Sequence, residues 1–420
     1  MNKILFVIIL ITSFKTNAQV WQVIEGTEMP VPVYGGEAVV VDSLIYILGG
    51  FSDSLNISVN IIQEYNPLTN SWRIIDSMNA SRYGFVAGNY QDSIFITGGI
   101  DLNLSLDSSL EIWNLINQPY IFDLKLDFIR TFAAGIINNN TLYVFGGLLV
   151  NPLSTYMFGY NISDSTFSIR ENFGFIAVYP FQQMAAYANN SIYLFGGVFI
   201  ATSRAIYQYD ILNEELTLLP TELTQSRSGG KAISLNDSLI YVIGGFNETS
   251  FSLSGVEEFR VDSGGYTVSA GPALNFERSE LMAVKFNNSI YVFGGKDDSG
   301  KPVKKVEKLD FVTGIKNENS TSPEDFYLNQ NYPNPFNPST NISFSLSSKS
   351  LVKIEIYNLA GEEVIELVNK EMDEGIHNII FDASAGDLTL TSGVYFYRLV
   401  AFNFSTQKTY IATRKMLLLK

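Results

Sequence analysis

Side chains able to do chemistry are scarce in this sequence of 420 residues. It contains no cysteine and one histidine, His377. A Ser-His-Asp or Cys-His arrangement in residues 19–316 is therefore impossible, and the usual histidine and cysteine ligands of zinc or copper are missing there. We expect His377 to be a surface residue of a strand, and we expect no metal and no cofactor.

Carboxylates are the remaining candidates for catalysis. Glu280 stands two residues after Arg278, near the predicted start of a strand, and is the one candidate acid–base residue. We favour a solvated charge or a structural ion pair for it, so an enzyme is not the expected function. Residues 297–300 lack the alternating acidic ligands of a calcium loop and are predicted to form a turn.

Polar and aromatic residues suited to binding a ligand recur in the segments where strands are predicted to begin. Loops rich in Ser, Thr, Asn and Asp occupy residues 52–54, 202–204 and 247–250. Such loops and a few aromatic rings suit a protein or a glycan. The candidate ligand-binding residues are Tyr83, Gln182, Arg204 and Glu280.

These candidates are spaced by an internal repeat. Six glycine pairs recur at intervals of 48 to 50 residues, and an aromatic residue lies three positions before each pair. An Asn- or Asp-containing turn pair lies upstream of each, which predicts a hairpin of two strands. The glycine pairs are Gly49-Gly50, Gly98-Gly99, Gly146-Gly147, Gly196-Gly197, Gly244-Gly245 and Gly294-Gly295.

A second hairpin follows each glycine pair. Tyr65 precedes Trp72 by seven residues across a turn, and the same step separates Tyr160 from Phe167 and Phe259 from Tyr266. Four strands in a repeat of this length are typical of one propeller blade. The sequence thus predicts an all-β protein.

The glycine pair, the aromatic residue and the tryptophan slot resemble the kelch repeat over residues 19–316. An arginine near sixteen positions before the pair, at Arg82, Arg130, Arg227 and Arg278, is also similar to kelch, although Val33 and Pro180 occupy that slot elsewhere. The resemblance implies a six-bladed propeller of four-stranded blades. Proteins with this repeat include mutarotases of sialic acid, and in such an enzyme Glu280 would be the acid–base residue. They also include copper oxidases, which need cysteine and histidine and are therefore excluded by the composition of residues 19–316.

The two ends of the repeat region indicate how the ring of propeller blades closes. Residues 20–23 match the tryptophan strand, and the sixth repeat lacks a convincing last strand. We predict that this N-terminal strand completes the last blade, which leaves no open sheet edge. The alternative is a local fourth strand that begins at Ile315-Lys316.

The start of the chain predicts export. Lys3 precedes an apolar run over residues 4–14, and small residues follow, as in a signal peptide of residues 1–18. The alternative is a buried N-terminal strand. No later run is long enough for a membrane span in the mature chain, and a net charge of −15 disfavours nucleic acid and anionic lipid as partners.

The C-terminal region departs from the repeat. Residues 317–326 are predicted to be a linker, and several short strands after it predict a small immunoglobulin-like β-sandwich. Residues 331–340, 393–399 and 413–420 resemble the type A C-terminal sorting domain of type IX secretion, over residues 327–420. The resemblance implies handling by the type IX machinery and removal of this domain. The alternative is an immunoglobulin-like ligand-binding module.

Together these features predict a secreted protein or one displayed on the bacterial cell surface. Its expected function is that of a binding module whose propeller loops bind a protein or a carbohydrate. The alternatives are a sugar-processing enzyme similar to a sialic acid mutarotase, and a structural stalk without a ligand.

Overall fold

The computed structural model describes residues 19–107, 109–114, 120–122, 130–149, 157–170, 180–262, 264–311, 326–329, 331, 333–359, 361–384, 390–404 and 407–419. Throughout these ranges the regular elements are β-strands, and none of them is a helix of the length and apolar character needed to cross a bilayer. The chain divides into two compact units after Phe311. The predicted signal peptide (1–18), residues 317–325 of the predicted linker and the alternative strand at 315–316 lie outside the described residues.

The first unit consists of short strands joined by tight turns. In chain order they are β1 (Gln22–Glu28), β2 (Glu37–Val41), β3 (Leu44–Leu48), β4 (Phe51–Ser52), β5 (Ile57–Ser58), β6 (Ile61–Asn66), β7 (Ser71–Ser77), β8 (Val86–Tyr90), β9 (Ser93–Thr97), β10 (Leu110–Asn114), β11 (Tyr120–Phe122), β12 (Arg130–Thr131), β13 (Ala134–Asn138), β14 (Thr141–Phe145), β15 (Leu148–Leu149), β16 (Met157–Asn161), β17 (Thr166–Arg170), β18 (Met184–Ala188), β19 (Ser191–Phe195), β20 (Ile206–Asp210), β21 (Glu215–Leu218), β22 (Lys231–Asn236), β23 (Leu239–Ile243), β24 (Val256–Asp262), β25 (Gly265–Ala270), β26 (Met282–Phe286), β27 (Ser289–Phe293) and β28 (Lys305–Asp310).

Within the described residues, the first unit contains six antiparallel sheets of four strands, here numbered sheets 1 to 6. Their strand orders are β2-β3-β6-β7, β8-β9-β10-β11, β13-β14-β16-β17, β18-β19-β20-β21, β22-β23-β24-β25 and β26-β27-β28-β1. The first strand of each sheet contacts the first strand of the next, and β26 of sheet 6 contacts β2 of sheet 1. The six sheets therefore follow one another in cyclic order.

The last strand of sheet 6 comes from the N-terminal end of the unit. β1 pairs with β28 in antiparallel fashion, with Gln22 opposite Lys308. The strand begins at Gln22, and the preceding Trp21 is buried among residues of sheets 5 and 6, where its indole N–H donates to the carbonyl oxygen of Pro272 at 2.8 Å. The first and last repeats are thereby joined in one sheet.

The turn pairs and the glycine pairs have the conformations that their residue types predict. Asp42, Gln91, Asn139 and Asn287 adopt positive φ in the hairpin turns, where Asn and Asp are better tolerated than other residues. At Gly98, a Cβ atom would lie 2.3 Å from the carbonyl oxygen of Arg130. No side chain fits there, which explains why glycine is required at this approach of two sheets.

The seven-residue step corresponds to different registers in different hairpins. Phe259 and Tyr266 do not face each other across their hairpin, since Phe259 pairs with Val268 and Tyr266 pairs with Val261. The hairpin of sheet 5 extends to Asp262, so its turn is shorter than the turn between Tyr65 and Trp72, which do pair directly. The rings of Phe259 and Tyr266 instead stack with centroids 5.7 Å apart.

Buried arginines bind the glycine pairs of four sheets. Each guanidinium donates from Nη1 to the carbonyl oxygen of the first glycine of its own sheet, as Arg278 does to Gly294 at 3.0 Å. In three sheets a buried glutamate pairs with the arginine and also accepts a main-chain N–H. These pairs are Arg82–Glu111, Arg227–Glu257 and Arg278–Glu307.

The two sheets without the arginine use other side chains at the same places. In sheet 4, where Pro180 fills the slot, the side-chain amide of Gln183 donates to the carbonyl of Gly196 at 3.4 Å. In sheet 1, which has Val33 in the slot, Gln63 replaces the glutamate and bonds to both main-chain groups of Val31. In these two sheets glutamine side chains thus make the hydrogen bonds to main-chain groups that arginine or glutamate makes in the other sheets.

The second unit is built from longer strands. They are β29 (Tyr327–Leu328), β30 (Ser339–Leu346), β31 (Ser350–Tyr357), β32 (Glu363–Met372), β33 (Gly375–Asp382), β34 (Gly393–Asn403) and β35 (Lys408–Leu418). They form the sheets β29-β30-β33 and β32-β31-β34-β35, which share one apolar core. The predicted alternation is present, because Ile342 and Phe344 of β30 are buried with Ile354 of β31. His377 lies on β33, half-buried against the ring of Phe344.

Candidate binding face

A closed ring of main-chain hydrogen bonds lies just before the first strands of the six sheets. One residue per sheet donates its N–H to the carbonyl oxygen of the equivalent residue in the preceding sheet, at 2.6 to 3.0 Å. Gly35 of sheet 1 donates to Glu280 of sheet 6, which completes the circle. The ring residues are Gly35, Gly84, Phe132, Gln182, Gly229 and Glu280.

All six ring residues have positive φ, between 51° and 65°. Glycine adopts this conformation freely, whereas other residues lose about 1–2 kcal/mol in it. Phe132, Gln182 and Glu280 nevertheless place side chains on the ring. These side chains cover neighbouring glycines, since a Cβ atom at Gly84 would lie 2.8 Å from the Phe132 ring. Backbone strain of this kind clusters at functional sites, which makes the ring a candidate binding surface.

Aromatic side chains line one side of the opening of this ring, here called the mouth. Tyr34 and Phe51 have centroids 5.3 Å apart, Phe51 and Tyr83 are 5.6 Å apart, and Tyr83 and Phe132 are 5.8 Å apart. All four residues are half-buried, so part of each remains accessible to a ligand. The mouth is therefore a curved aromatic surface over sheets 1 to 3.

One ion pair interrupts this aromatic mouth. The ammonium of Lys296 lies 2.8 Å from Oε1 of Glu280 and 4.8 Å from the centroid of the Tyr34 ring. Burial, together with the nearby carboxylates of Glu280 and Asp53, raises the pKa of Tyr34 to about 12. Its phenol therefore stays neutral at physiological pH and can take part in hydrogen bonding.

A second ion pair lies beneath the ring. Glu37 of sheet 1 and Lys231 of sheet 5 meet across the axis, with both carboxylate oxygens 2.7 Å from the ammonium. Burial raises the pKa of Glu37, and Lys231 opposes this rise. The pair lines both a recess of about 60 Å³ next to Gln182 and Glu280 and a cavity of about 300 Å³ between the first strands.

The cavity between the first strands offers little chemistry. Small residues such as Ala38, Ala87 and Gly135 form much of its lining, and Lys285 at its wall donates to a main-chain carbonyl. Its size suits a small molecule, but the Glu37–Lys231 pair occupies the approach from the ring. We therefore locate the candidate site at the mouth and not in the cavity.

The loops around the mouth expose apolar side chains. These loops join the second and third strands, and they lie at the same end of the sheets as the ring because the strands are antiparallel and consecutive. Ile200 is fully exposed and Phe251 is 77% exposed. The other exposed apolar residues of these loops are Leu55, Ile57, Leu102, Leu104 and Leu148.

Three of the four candidate residues from the sequence are in this region. Gln182 and Glu280 belong to the ring, and Tyr83 precedes the ring residue Gly84 and contacts Phe132. Arg204 stands apart, because it lies at the start of the third strand of sheet 4 and pairs with Glu222. Both partners are about half exposed, so the pair is a surface contact.

Sequence reasoning missed several residues of the mouth. Tyr34, Phe51, Phe132 and Lys296 were not among the candidates, although each has a fixed offset from a glycine pair. Phe51 and Lys296 directly follow their pairs, and Phe132 precedes its pair by the same interval as Gln182. The offset was the signal that would have found them.

Residues 297–300 form the predicted turn, with Asp297 accepting N–H groups from Ser299 and Lys301.

The fold consists of a unit of repeated four-stranded sheets with a candidate binding face and a second, C-terminal β unit. Comparison with known families gives the kelch motif at residues 32–79 and 278–315, and the Secretion system C-terminal sorting domain at residues 330–413. Both resemblances are confirmed over the matched residues: the chain contains kelch motifs and a C-terminal sorting domain of the type IX kind. A domain of this kind indicates export by type IX secretion, to the outside of the cell or its surface.

Among curated proteins, the chain is similar to several with kelch repeats. It is 28% identical over 92 residues to an F-box/kelch-repeat protein of Arabidopsis thaliana, which is 22% of each chain. It is 27% identical over 150 residues to Kelch-like protein 38 of Mus musculus, covering 35% of this chain and 25% of that one. It is also 27% identical over 123 residues to Kelch-like protein 40 of Xenopus laevis, covering 29% and 20%. The chain thus spans a quarter or less of these relatives.

Proposed function

We propose that residues 19–316 form a six-bladed kelch propeller in which β1 closes the last blade. The support is the cyclic contact of six first strands and the ring of hydrogen bonds that ends at Gly35 and Glu280. Residues 317–326 would be the linker and residues 327–420 an immunoglobulin-like sandwich that directs secretion. A signal peptide over residues 1–18 would start the export that the sorting domain completes.

We further propose that the exported protein, released or displayed on the cell surface, is a binding module for a protein partner. The observation that carries this proposal is the aromatic mouth on the hydrogen-bonded ring, bordered by exposed apolar loops. Exposed apolar groups on several neighbouring loops are typical of protein interaction sites. Aromatic rings also stack on sugars, so a glycan is the alternative ligand.

A sugar-processing enzyme is less well supported by this geometry. Its acid–base candidate, Glu280, is engaged by the Lys296 ammonium at 2.8 Å. A catalytic carboxylate should instead face the position of the reacting group. The arrangement favours recognition at the mouth over proton transfer.

Loop variants test the binding proposal. We expect the full chain to bind a partner from a screen of extracellular proteins and a glycan array, and expect Ile200→Ser and Phe251→Ser to weaken this binding at least about tenfold. Leu68→Ser and Leu212→Ser are matched controls, since these exposed leucines lie in turns at the opposite end of the sheets. Equal binding by all four variants would contradict a binding site at the ring.

A further inference from the structure

The sixth repeat departs from the others at two neighbouring positions of the mouth. The residue after the glycine pair is apolar in five repeats but is Lys296 in the sixth. The ring residue of the same repeat is Glu280, which carries the one charge on the ring. The two side chains pair at 2.8 Å, so a cation and its counter-ion stand together where the other repeats have apolar or uncharged groups.

The surroundings of this pair suit a cation. The Lys296 ammonium lies 4.8 Å from the centre of the Tyr34 ring, within cation–π distance. Phe51 and Tyr83 continue the aromatic surface. Burial raises the pKa of Tyr83, and the carboxylates of Glu280 and Asp101 raise it further. Aromatic faces and carboxylates together favour an ammonium or a guanidinium.

Glu280 and Lys296 differ in how freely they can change conformation. Glu280 is fixed at φ 51° by hydrogen bonds of its N–H to Gly229 and of its carbonyl to Gly35. The Lys296 side chain is 28% exposed and has a four-carbon stem that can turn into solvent without moving the main chain. An incoming cation can therefore replace the Lys296 ammonium without a change in the main chain that carries Glu280.

We propose that the mouth is a receptor site for a basic side chain of the partner, lysine or arginine, and that Lys296 occupies it in the unbound protein. This inference rests on the proposed function and specifies the chemistry of the partner. The net charge of −15 attracts basic segments to the surface before they dock. On binding, the partner's cation pairs with Glu280 over the Tyr34 ring, and Lys296 turns outward.

A titration of the full chain with small cations tests this exchange. The probes are Nα-acetyl-lysine methylamide and Nα-acetyl-arginine methylamide, with Nα-acetyl-norleucine methylamide as the neutral probe, followed by NMR line shifts. Lys296→Met removes the internal competitor, and we expect it to bind a cationic probe at least about tenfold more tightly than the unaltered chain. The added substitution Glu280→Gln should abolish that gain, and the neutral probe should show none.

Lys301→Met is the matched control, because Lys301 is an exposed lysine of the same loop. It should bind the probes like the unaltered chain. Equal affinity of the unaltered chain and the Lys296→Met variant, or a gain that survives Glu280→Gln, would overturn the cation site. If Ile200→Ser and Phe251→Ser still weakened the binding of a partner, the proposed binding function would stand without the cation site. If the probes bound as expected but no partner was found, the results would support the cation site alone.

Discussion

The N–H of Gly35 donates a hydrogen bond of 2.9 Å to the carbonyl oxygen of Glu280. The two residues belong to the first and the sixth repeats, so this single bond closes a circle that five equivalent bonds begin. The same residue that closes the circle also presents its carboxylate to the mouth. The circle of hydrogen bonds and the candidate site therefore share one position.

The backbone geometry of the ring predicts that substitutions at two equivalent positions change the free energy of unfolding by unequal amounts. Gly84→Ala should lower the free energy of unfolding by about 2 kcal/mol, because alanine is disfavoured at φ 65° and its Cβ would lie 2.8 Å from the Phe132 ring. Gln182→Gly should change it by less than about 1 kcal/mol, since the easier backbone offsets the greater freedom of the unfolded chain.

Urea unfolding followed by tryptophan fluorescence measures both variants. The three tryptophans, Trp21, Trp72 and Trp113, all belong to the first unit, so the signal reports on that unit alone. A loss in Gln182→Gly as large as that in Gly84→Ala would contradict the shared backbone geometry of the ring.

The buried pair of Arg278 and Glu307 predicts that a second substitution restores part of the stability lost by the first. Glu307→Gln leaves a fully buried guanidinium without its counter-ion and should lower the free energy of unfolding by about 3–5 kcal/mol. The double change Arg278→Val with Glu307→Gln copies the residues that sheet 1 has in these slots, Val33 and Gln63. We expect the double variant to unfold at higher urea than Glu307→Gln, by the same fluorescence signal. The reverse order would show that the arginine stabilises sheet 6 without its partner.

The second unit should be sensitive to acid through Glu355. Hydrogen bonds from Lys353, the Tyr357 hydroxyl and Arg398 hold the pKa of this carboxyl at about 2, below the usual 4.5. Because the folded pKa is the lower one, the stabilisation is present above pH 4.5 and is lost as the pH falls towards 2.

Hydrogen exchange of peptides from β31 and β34 measures this effect. Glu355→Gln should show weaker protection than the unaltered chain at pH 6, and the difference should vanish near pH 2. A constant difference over this range would mean that Glu355 does not stabilise the unit through its charge.

The hairpins were predictable because their signals are local. An Asn or Asp turn pair and a glycine pair fix the backbone within a few residues, and the strands between them have the expected bounds around Tyr46 and Tyr291. The register of Phe259 was not predictable, since the seven-residue step does not determine where the turn lies.

The site was predictable in part for the same reason. Tyr83, Gln182 and Glu280 precede first strands, which lie next to the axis, whereas Arg204 precedes a third strand and meets Glu222 instead. A polar loop sequence does not reveal how far from the axis a residue lies. The pairing of Lys296 with Glu280 depends on the bridge between Lys296 and Ser279, a contact between distant residues that only the offset from the glycine pair could have indicated.

Closure of the six sheets is the central claim, and a designed disulfide tests it most directly. Gln22 of β1 lies opposite Lys308 of β28, at a separation that suits a disulfide, and the chain has no cysteine of its own. The matched control is Gln22→Cys with Glu258→Cys, because Glu258 faces Tyr241 in sheet 5 as Lys308 faces Tyr291 in sheet 6.

We predict that the native chain with Gln22→Cys and Lys308→Cys forms the disulfide under mild oxidation, while both thiols of the control pair stay reactive. The cross-link should raise the free energy of unfolding by about 4 kcal/mol, because it closes a long loop. Free thiols in the native Gln22→Cys, Lys308→Cys protein, measured by mass after alkylation, would contradict the closed ring.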